Sequence, residues 1–292
     1  MRFNNQSVNI SCLILSLSVV PIVPRGINAT LFNRLAVIAA VKALRRFRQW
    51  RGDVMFLTNK LCVKYGELVQ ISEAFTMRFI ACHTSIPVPK VYCAFVHKGY
   101  TYIMMERIEG EMLARGWYAL PANSRETIFA QLRTMVNEMR TLPAPCPAVA
   151  NVLGGPLYDP RFPGASLTIG PFKTIQDFHL FLRNGMLNPP PDGRYPDVHD
   201  MMRLQDQPWP MPVFTHGDLS SFNILIRGGH VVGIIDWETA GWYPMYWEYS
   251  MSWLQAHPYN EFWRDVTERF LDPPMPAEVD MERTRLRYFG DV

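Results

Sequence analysis

Apolar and polar positions change period repeatedly along this chain, and each change marks an element. Over residues 30–48 apolar residues recur at helical spacing, with Leu31, Leu35, Ile38, Val41 and Leu44 on one side. Residues 54–57 and 61–65 read instead as strands on either side of Thr58-Asn59-Lys60 and predict a hairpin. Ser72 is placed to cap a helix over 73–82, which the Pro87-Val88-Pro89 run closes off. A second hairpin follows, 91–96 with 101–106, across His97-Lys98-Gly99-Tyr100, and Ile108-Glu109-Gly110 breaks the pattern. The first hundred residues thus predict two hairpins around one helix, a small antiparallel sheet.

Further on, the pattern turns helical. Ser124 is placed to cap a helix carrying Ile128, Leu132, Met135, Met139 and Leu142, stopped by Pro143 and Pro145. Residues 143–171 are rich in Pro and Gly and read as a long irregular segment, of the kind that often carries function. Gly154-Gly155-Pro156-Leu157-Tyr158-Asp159 is its candidate substrate-side element. Helices are predicted over 174–185, 198–204, 247–255 and 261–271, and no internal repeat is visible. The fold class is α+β with two lobes: an extension over 1–49, helical or disordered; a small sheet lobe over 50–109; and a larger, mainly helical lobe over 110–292. A cleft between such lobes is where a small ligand would sit.

Composition narrows the class. With 48% hydrophobic and 19% charged residues over 292 positions, the chain is globular. A net charge of +3 does not call for nucleic acid, and the exposed-face reading of Arg45-Arg46-Phe47-Arg48-Gln49-Trp50-Arg51 is the simpler one. Five scattered cysteines show no zinc spacing and no disulfide framework, which fits a reducing compartment. Residues 8–23 are apolar and could target or anchor the chain, but they are short for a span and Asn9 and Pro21 interrupt them. Stable membrane insertion is not expected, and a reducing compartment points to the cytoplasm.

The chemistry lies in His216-Gly217-Asp218-Leu219-Ser220-Ser221-Phe222-Asn223, followed by Ile234-Ile235-Asp236-Trp237. Two apolar runs, 224–226 and 231–235, are joined by Gly228-Gly229, a turn that folds their ends side by side. Asn223 and Asp236 then face one point, with Asp218 beside them. Converging oxygen ligands suit Mg²⁺, and a carboxylate able to take a hydroxyl proton completes what phosphoryl transfer needs. A buried His or a turn-capping Asp would also explain His-x-Asp alone. The added Asn at this spacing arises by chance in only about one chain per thousand. In the small lobe, Lys64 lies on an apolar strand, where a cation is costly unless paired, and Glu73 in the next helix is the natural partner. An edge-strand lysine in solvent is the competing reading.

These residues, with the hinge-like Tyr102-Ile103-Met104-Met105-Glu106-Arg107-Ile108, resemble the aminoglycoside phosphotransferase family of the protein-kinase-like fold, most closely its fungal members, over residues 50–292. The resemblance implies that Asp218 deprotonates an acceptor hydroxyl and that Asn223 and Asp236 hold Mg²⁺. It also implies that Lys64, kept in place by Glu73, meets the ATP phosphates, and that main-chain groups of Glu106 and Ile108 bind adenine. Gly217 stands where protein kinases carry Arg, Asp236-Trp237-Glu238 replaces Asp-Phe-Gly, and no Ala-Pro-Glu follows. These departures favour a small-molecule hydroxyl acceptor over a protein.

Gly52 is the only glycine between Gly26 and Gly66, so no glycine-rich loop precedes Lys64, and its first strand is expected to be replaced by the helix over 30–48. That gap motivates a second reading, a non-catalytic kinase-like module that binds nucleotide or a partner. A protein kinase is third, and a metal-dependent hydrolase fourth, since His216 lacks further His ligands. Tyr158, Asp159, Trp242, Tyr243 and Trp247 are acceptor-pocket candidates, with core packing the alternative for the aromatics. Asp280 and Glu282 are too few to make an acidic tail for a polycation.

Overall fold

Side chains of a strand point alternately to two faces, and the small lobe has a helix over each. The computed structural model describes residues 26–162, 166–191, 193–254 and 261–290. The small lobe runs α1 (Leu31–Leu44), β1 (Trp50–Arg51), β2 (Val54–Phe56), β3 (Leu61–Gly66), α2 (Ile71–His83), β4 (Val91–His97) and β5 (Tyr100–Glu106). Its sheet is antiparallel, in the order β1-β2-β3-β5-β4. Val63, Cys93 and Phe95 point to α1, where they meet Val37 and Val41. Cys62, Ala94 and Ile103 point the other way, into a core shared with Ala74, Met77 and Ile80 of α2 and continuous with the large lobe. Lys64, two residues after Cys62, therefore faces α2 and the cleft.

Three expectations change here. The apolar stripe of α1 is only half used: Leu31 and Leu35 are 74% and 58% exposed, because only the C-terminal half of the helix lies over the sheet. Ile27 pairs with Ala94 and α1 packs on the sheet, so the lobe begins near residue 27 and the boundary expected at 50 falls inside it. The first strand is not replaced by that helix. It survives as the two residues of β1, turning at Gly52-Asp53 into β2. The apolar segment 8–23 lies outside the described residues. Among the described residues no helix is long and apolar enough to cross a membrane.

The large lobe adds β6 (Glu111–Met112), α3 (Leu113–Gly116), α4 (Ala122–Thr141), β7 (Leu157–Tyr158), β8 (Thr168–Ile169), α5 (Ile175–Leu182) and α6 (Pro196–Gln205). Then come β9 (Val213–Thr215), β10 (Ile224–Arg227), β11 (His230–Ile234), β12 (Gly241–Tyr243), α7 (Trp247–Leu254), α8 (Glu261–Thr267) and α9 (Pro276–Phe289). Ile128, Leu132, Met135 and Met139 of α4 are buried, as their spacing predicts. Neither predicted serine cap forms: α2 starts after Gln70 and α4 after Pro121, so Ser72 and Ser124 sit inside the first turns. Among the described residues of the segment 143–171, β7 pairs with β8, and Val149 and Ala150 bridge to Phe172 and Trp242. Helix α9, which the pattern did not single out, is held by buried polar groups: Tyr246 lies 2.9 Å from His179 of α5 and 3.2 Å from Glu282, which pairs with Arg285.

Candidate active site

The hairpin β10–β11 forms as its Gly228-Gly229 turn predicts. Both glycines have positive φ (60° and 78°), the backbone that a two-residue hairpin of right-handed twist requires. Asn223 ends the loop that precedes β10, and the Ile235 N–H bonds its carbonyl at 2.9 Å. That contact brings Asn223 next to Asp236. Asp236 itself has φ +65°, an uncommon backbone for Asp that turns the chain sharply out of β11.

The loop between β9 and β10 is braced from below. His216 is fully buried; burial lowers its pKa, so the ring is neutral. Its Nδ1 accepts the Asp218 N–H (3.2 Å), which leaves Nε2–H to donate to Ile235 O (3.1 Å). Glu248 of α7 accepts the main-chain N–H groups of His216 (2.6 Å) and Gly217 (3.2 Å). Ser252 and Trp263 both donate to Leu219 O, at 2.9 and 3.1 Å. Gly217 has φ +81°, and a Cβ there would lie 2.9 Å from Thr239 O. The glycine is thus fixed by local geometry, and an arginine at this position is excluded. Gly217→Ala should cost about 1–2 kcal/mol from the backbone alone, plus the Thr239 contact; a fall in Tm together with reduced kcat checks this.

Asp218 has two different oxygens. Its Oδ2 accepts Asn223 Nδ2 at 2.8 Å, and Oδ1 lies 3.5 Å from Arg161 Nη1. Burial raises the carboxyl pKa and the Arg161 guanidinium opposes the rise. Lys64 is paired, as the apolar strand demands, and with more than its predicted partner. Its Nζ lies 2.9 Å from Glu73, 2.7 Å from Asp236 and 2.8 Å from Glu238. Burial works against the ammonium, but the three carboxylates outweigh it and hold its pKa well above normal. Glu73 is fully buried, and desolvation lifts it to about 7 against the pull of Lys64. The solvent-exposed reading of Lys64 is excluded.

The donors suit a hard cation. Asp236, Glu238 and Glu73 offer carboxylate oxygens within 4.8 Å of one another. Asn223 donates its amide nitrogen to both Asp218 O and Oδ2, which leaves its own oxygen available for a ligand. An oxygen-only set of this kind fits Mg²⁺.

The aromatic acceptor-pocket candidates go to the core: Tyr158, Trp242, Tyr243 and Trp247 are all buried. Asp159 does reach the site, through Arg161, which the sequence reading missed. Glu238 and Glu248 were missed too. All three carry the same signal as Lys64, a charge set among apolar or turn-forming neighbours. At the hinge, Glu106 N–H is bonded to Lys90 O (2.9 Å), and its carbonyl accepts a weak contact from the Cys62 thiol (3.6 Å), which leaves one lone pair for a ligand. The side chains of Glu106 and Ile108 border a groove of about 540 Å³ with Lys60, Pro87 and Val88, separate from the Lys64 cluster.

Fold and site together define a bilobal, kinase-like protein of the phosphotransferase type. The model of the phosphotransferase enzyme family (APH) matches residues 71–285, most of the chain, and the protein belongs to that family. Among solved structures it is similar to the aminoglycoside phosphotransferase APH(4)-Ia, at 15% identity over 85% of this chain and 88% of that one, with a TM-score of 0.53. It is equally similar to APH(2")-IIa in its ternary complex with streptomycin and ATP (15%, 86% of each chain, 0.53). ADP-bound APH(2'')-Ib gives the same picture (15%, 89% and 87%, 0.53). No curated protein matches the chain.

Proposed function

We propose that the protein transfers the γ-phosphoryl group of ATP, in a Mg²⁺-dependent reaction, to a hydroxyl of a small molecule. The observation that carries this reading is the meeting of Lys64 and Asp236 across the cleft, beside the Asp218–Asn223 pair. Family membership and the nucleotide complexes of the similar structures support it.

In this reading Asp218 Oδ1 orients the acceptor hydroxyl and takes its proton. The hydroxyl oxygen bonds to the γ-phosphorus as the bond to the β,γ-bridging oxygen breaks, and ADP leaves. Asn223 locks Oδ2, so one carboxylate oxygen is free for the substrate. Lys64 exchanges Asp236 and Glu238 for phosphate oxygens, while Glu73 keeps it in place. Asp236 and Asn223 would hold Mg²⁺, with Glu238 in reach; the ion's chemistry is to offset phosphate charge. Main-chain groups of Glu106 and Ile108 would hold adenine. Catalysis comes mainly from positioning and charge stabilisation.

Thermal shift with ATP, with and without Mg²⁺, followed by ADP release over an acceptor panel, tests the proposal. Asp236→Asn should abolish most of the Mg²⁺-dependent part of the ATP shift; an unaltered shift counts against that ligand. The two-residue β1 favours a second reading, a nucleotide-binding module without turnover. Metal-dependent binding with no ADP release on any acceptor would select it.

A further inference from the structure

The acceptor side of Asp218 holds a cation, and its geometry bears on what the enzyme phosphorylates. Asp159, buried at the end of β7, accepts Arg161 Nε at 2.6 Å and also Nη2. The same Nη2 donates to Gly217 O at 2.7 Å. These contacts fix the guanidinium plane against the loop that bears Asp218. They use Nε and Nη2 and leave Nη1, whose contact with Asp218 Oδ1 at 3.5 Å is at the limit of a hydrogen bond. The Arg161 and Asp218 side chains remain 27% and 34% exposed, and Nη1 and Oδ1 lie side by side.

We propose that Arg161 recognises the acceptor, and that the acceptor carries an anionic oxygen next to the hydroxyl that is phosphorylated. The inference rests on the assignment of Asp218 as the residue that receives the hydroxyl. The hydroxyl donates to Oδ1 while the neighbouring carboxylate or phosphate oxygen accepts from Nη1. An ammonium in that position would meet the like charge of the guanidinium. Three carboxylates of the large lobe are already paired and so less available to a polycation. Asp197, Asp206 and Glu282 on or beside α6 and α9 are paired with Arg287, Arg183 and Arg285. Transfer balances as for any alcohol: the acceptor oxygen gains the phosphoryl group, ADP leaves, and the proton passes through Asp218 to solvent.

The test compares size-matched probes: glycerate, glycerol 3-phosphate, glycerol and serinol, with one aminoglycoside. ADP release is followed for wild type, Arg161→Lys and the double variant Asp159→Asn/Arg161→Gln, which removes both charges so that neither is left buried alone. In parallel, the thermal shift given by each probe is read in the presence of a non-hydrolysable ATP analogue and Mg²⁺, which needs no turnover. Glycerate or glycerol 3-phosphate should be the preferred probe, and the comparison of the two tells a carboxylate from a phosphate. The double variant should raise KM for that probe by about 10–100-fold, the scale of a charge-assisted hydrogen bond. It should leave KM for ATP within a few-fold and raise KM for glycerol far less than for the anionic probe, with Arg161→Lys in between. Preference for serinol or the aminoglycoside overturns the proposal, as does an equal loss on every probe, and either result leaves the phosphotransferase reading intact. Absence of ADP release on all probes, with ATP still bound, overturns that reading instead. Probe-induced shifts then decide the fate of Arg161: no anion-dependent shift, or one unchanged in the double variant, refutes its role.

Discussion

Asp218→Asn should lower kcat by about 10²–10⁴-fold, the usual contribution of a positioned general base, with little change in Tm. The two expectations have separate causes. An amide oxygen can still accept from Asn223 Nδ2, now at 2.8 Å from Oδ2, so the loop keeps its shape. Removing the charge also relieves a half-buried carboxylate, which offsets the lost contact with Arg161. The amide, however, cannot take the hydroxyl proton. KM for ATP should stay within a few-fold, because Asp218 contacts neither Lys64 nor Asp236 directly. In the wild type, activity should fall as pH drops through the Asp218 pKa, and burial places that acid limb above the ordinary carboxylate range. Near-normal turnover by the variant, measured by ADP release, would remove Asp218 from its assigned role.

Glu248→Ala should be the most destabilising single change in the site. Glu248 is buried and accepts two main-chain N–H groups, those of His216 and Gly217, which have no route to water. Each such donor left unpaired costs about 1–3 kcal/mol, so the total is about 3–5 kcal/mol. For a chain of this size that corresponds to a fall in Tm of roughly 10 °C. Glu248→Gln keeps one acceptor oxygen for His216 and should lose less than half as much. A Tm unchanged by Glu248→Ala would show that the loop holds its shape without this brace.

The site was legible where charge breaks a regular pattern. Asp218, Asn223 and Asp236 sit around a hairpin whose glycine turn fixes how its ends meet. Lys64 stands out because an ammonium on an apolar strand demands partners. Glu248 obeys the same logic between Trp247 and Tyr249, but a lone acid on a helix is usually exposed, so it was passed over. Arg161 and Asp159 lie in a segment with no period, where neighbours in space cannot be read from spacing. The small lobe shows the limit of periodicity itself. The stripe of α1 gives the correct helix but not how much of it the sheet covers. Likewise, a two-residue β1 is too short to register against the basic run around it. Helix α9 buries Val279, Met281 and Phe289 beneath a surface of alternating charge that hides their spacing.

The threefold pairing of Lys64 has a mechanical consequence. Its side chain belongs to the small lobe, while Asp236 and Glu238 belong to the large one, so the cation works as a latch between them. Before any phosphate can meet Lys64, two contacts of 2.7 and 2.8 Å must open. In the proposed reaction nucleotide entry would therefore be a replacement at a filled post and not the capture of a waiting charge, with the lobes tied together from the start. Glu73, which shares its lobe with Lys64, is the partner that need not let go.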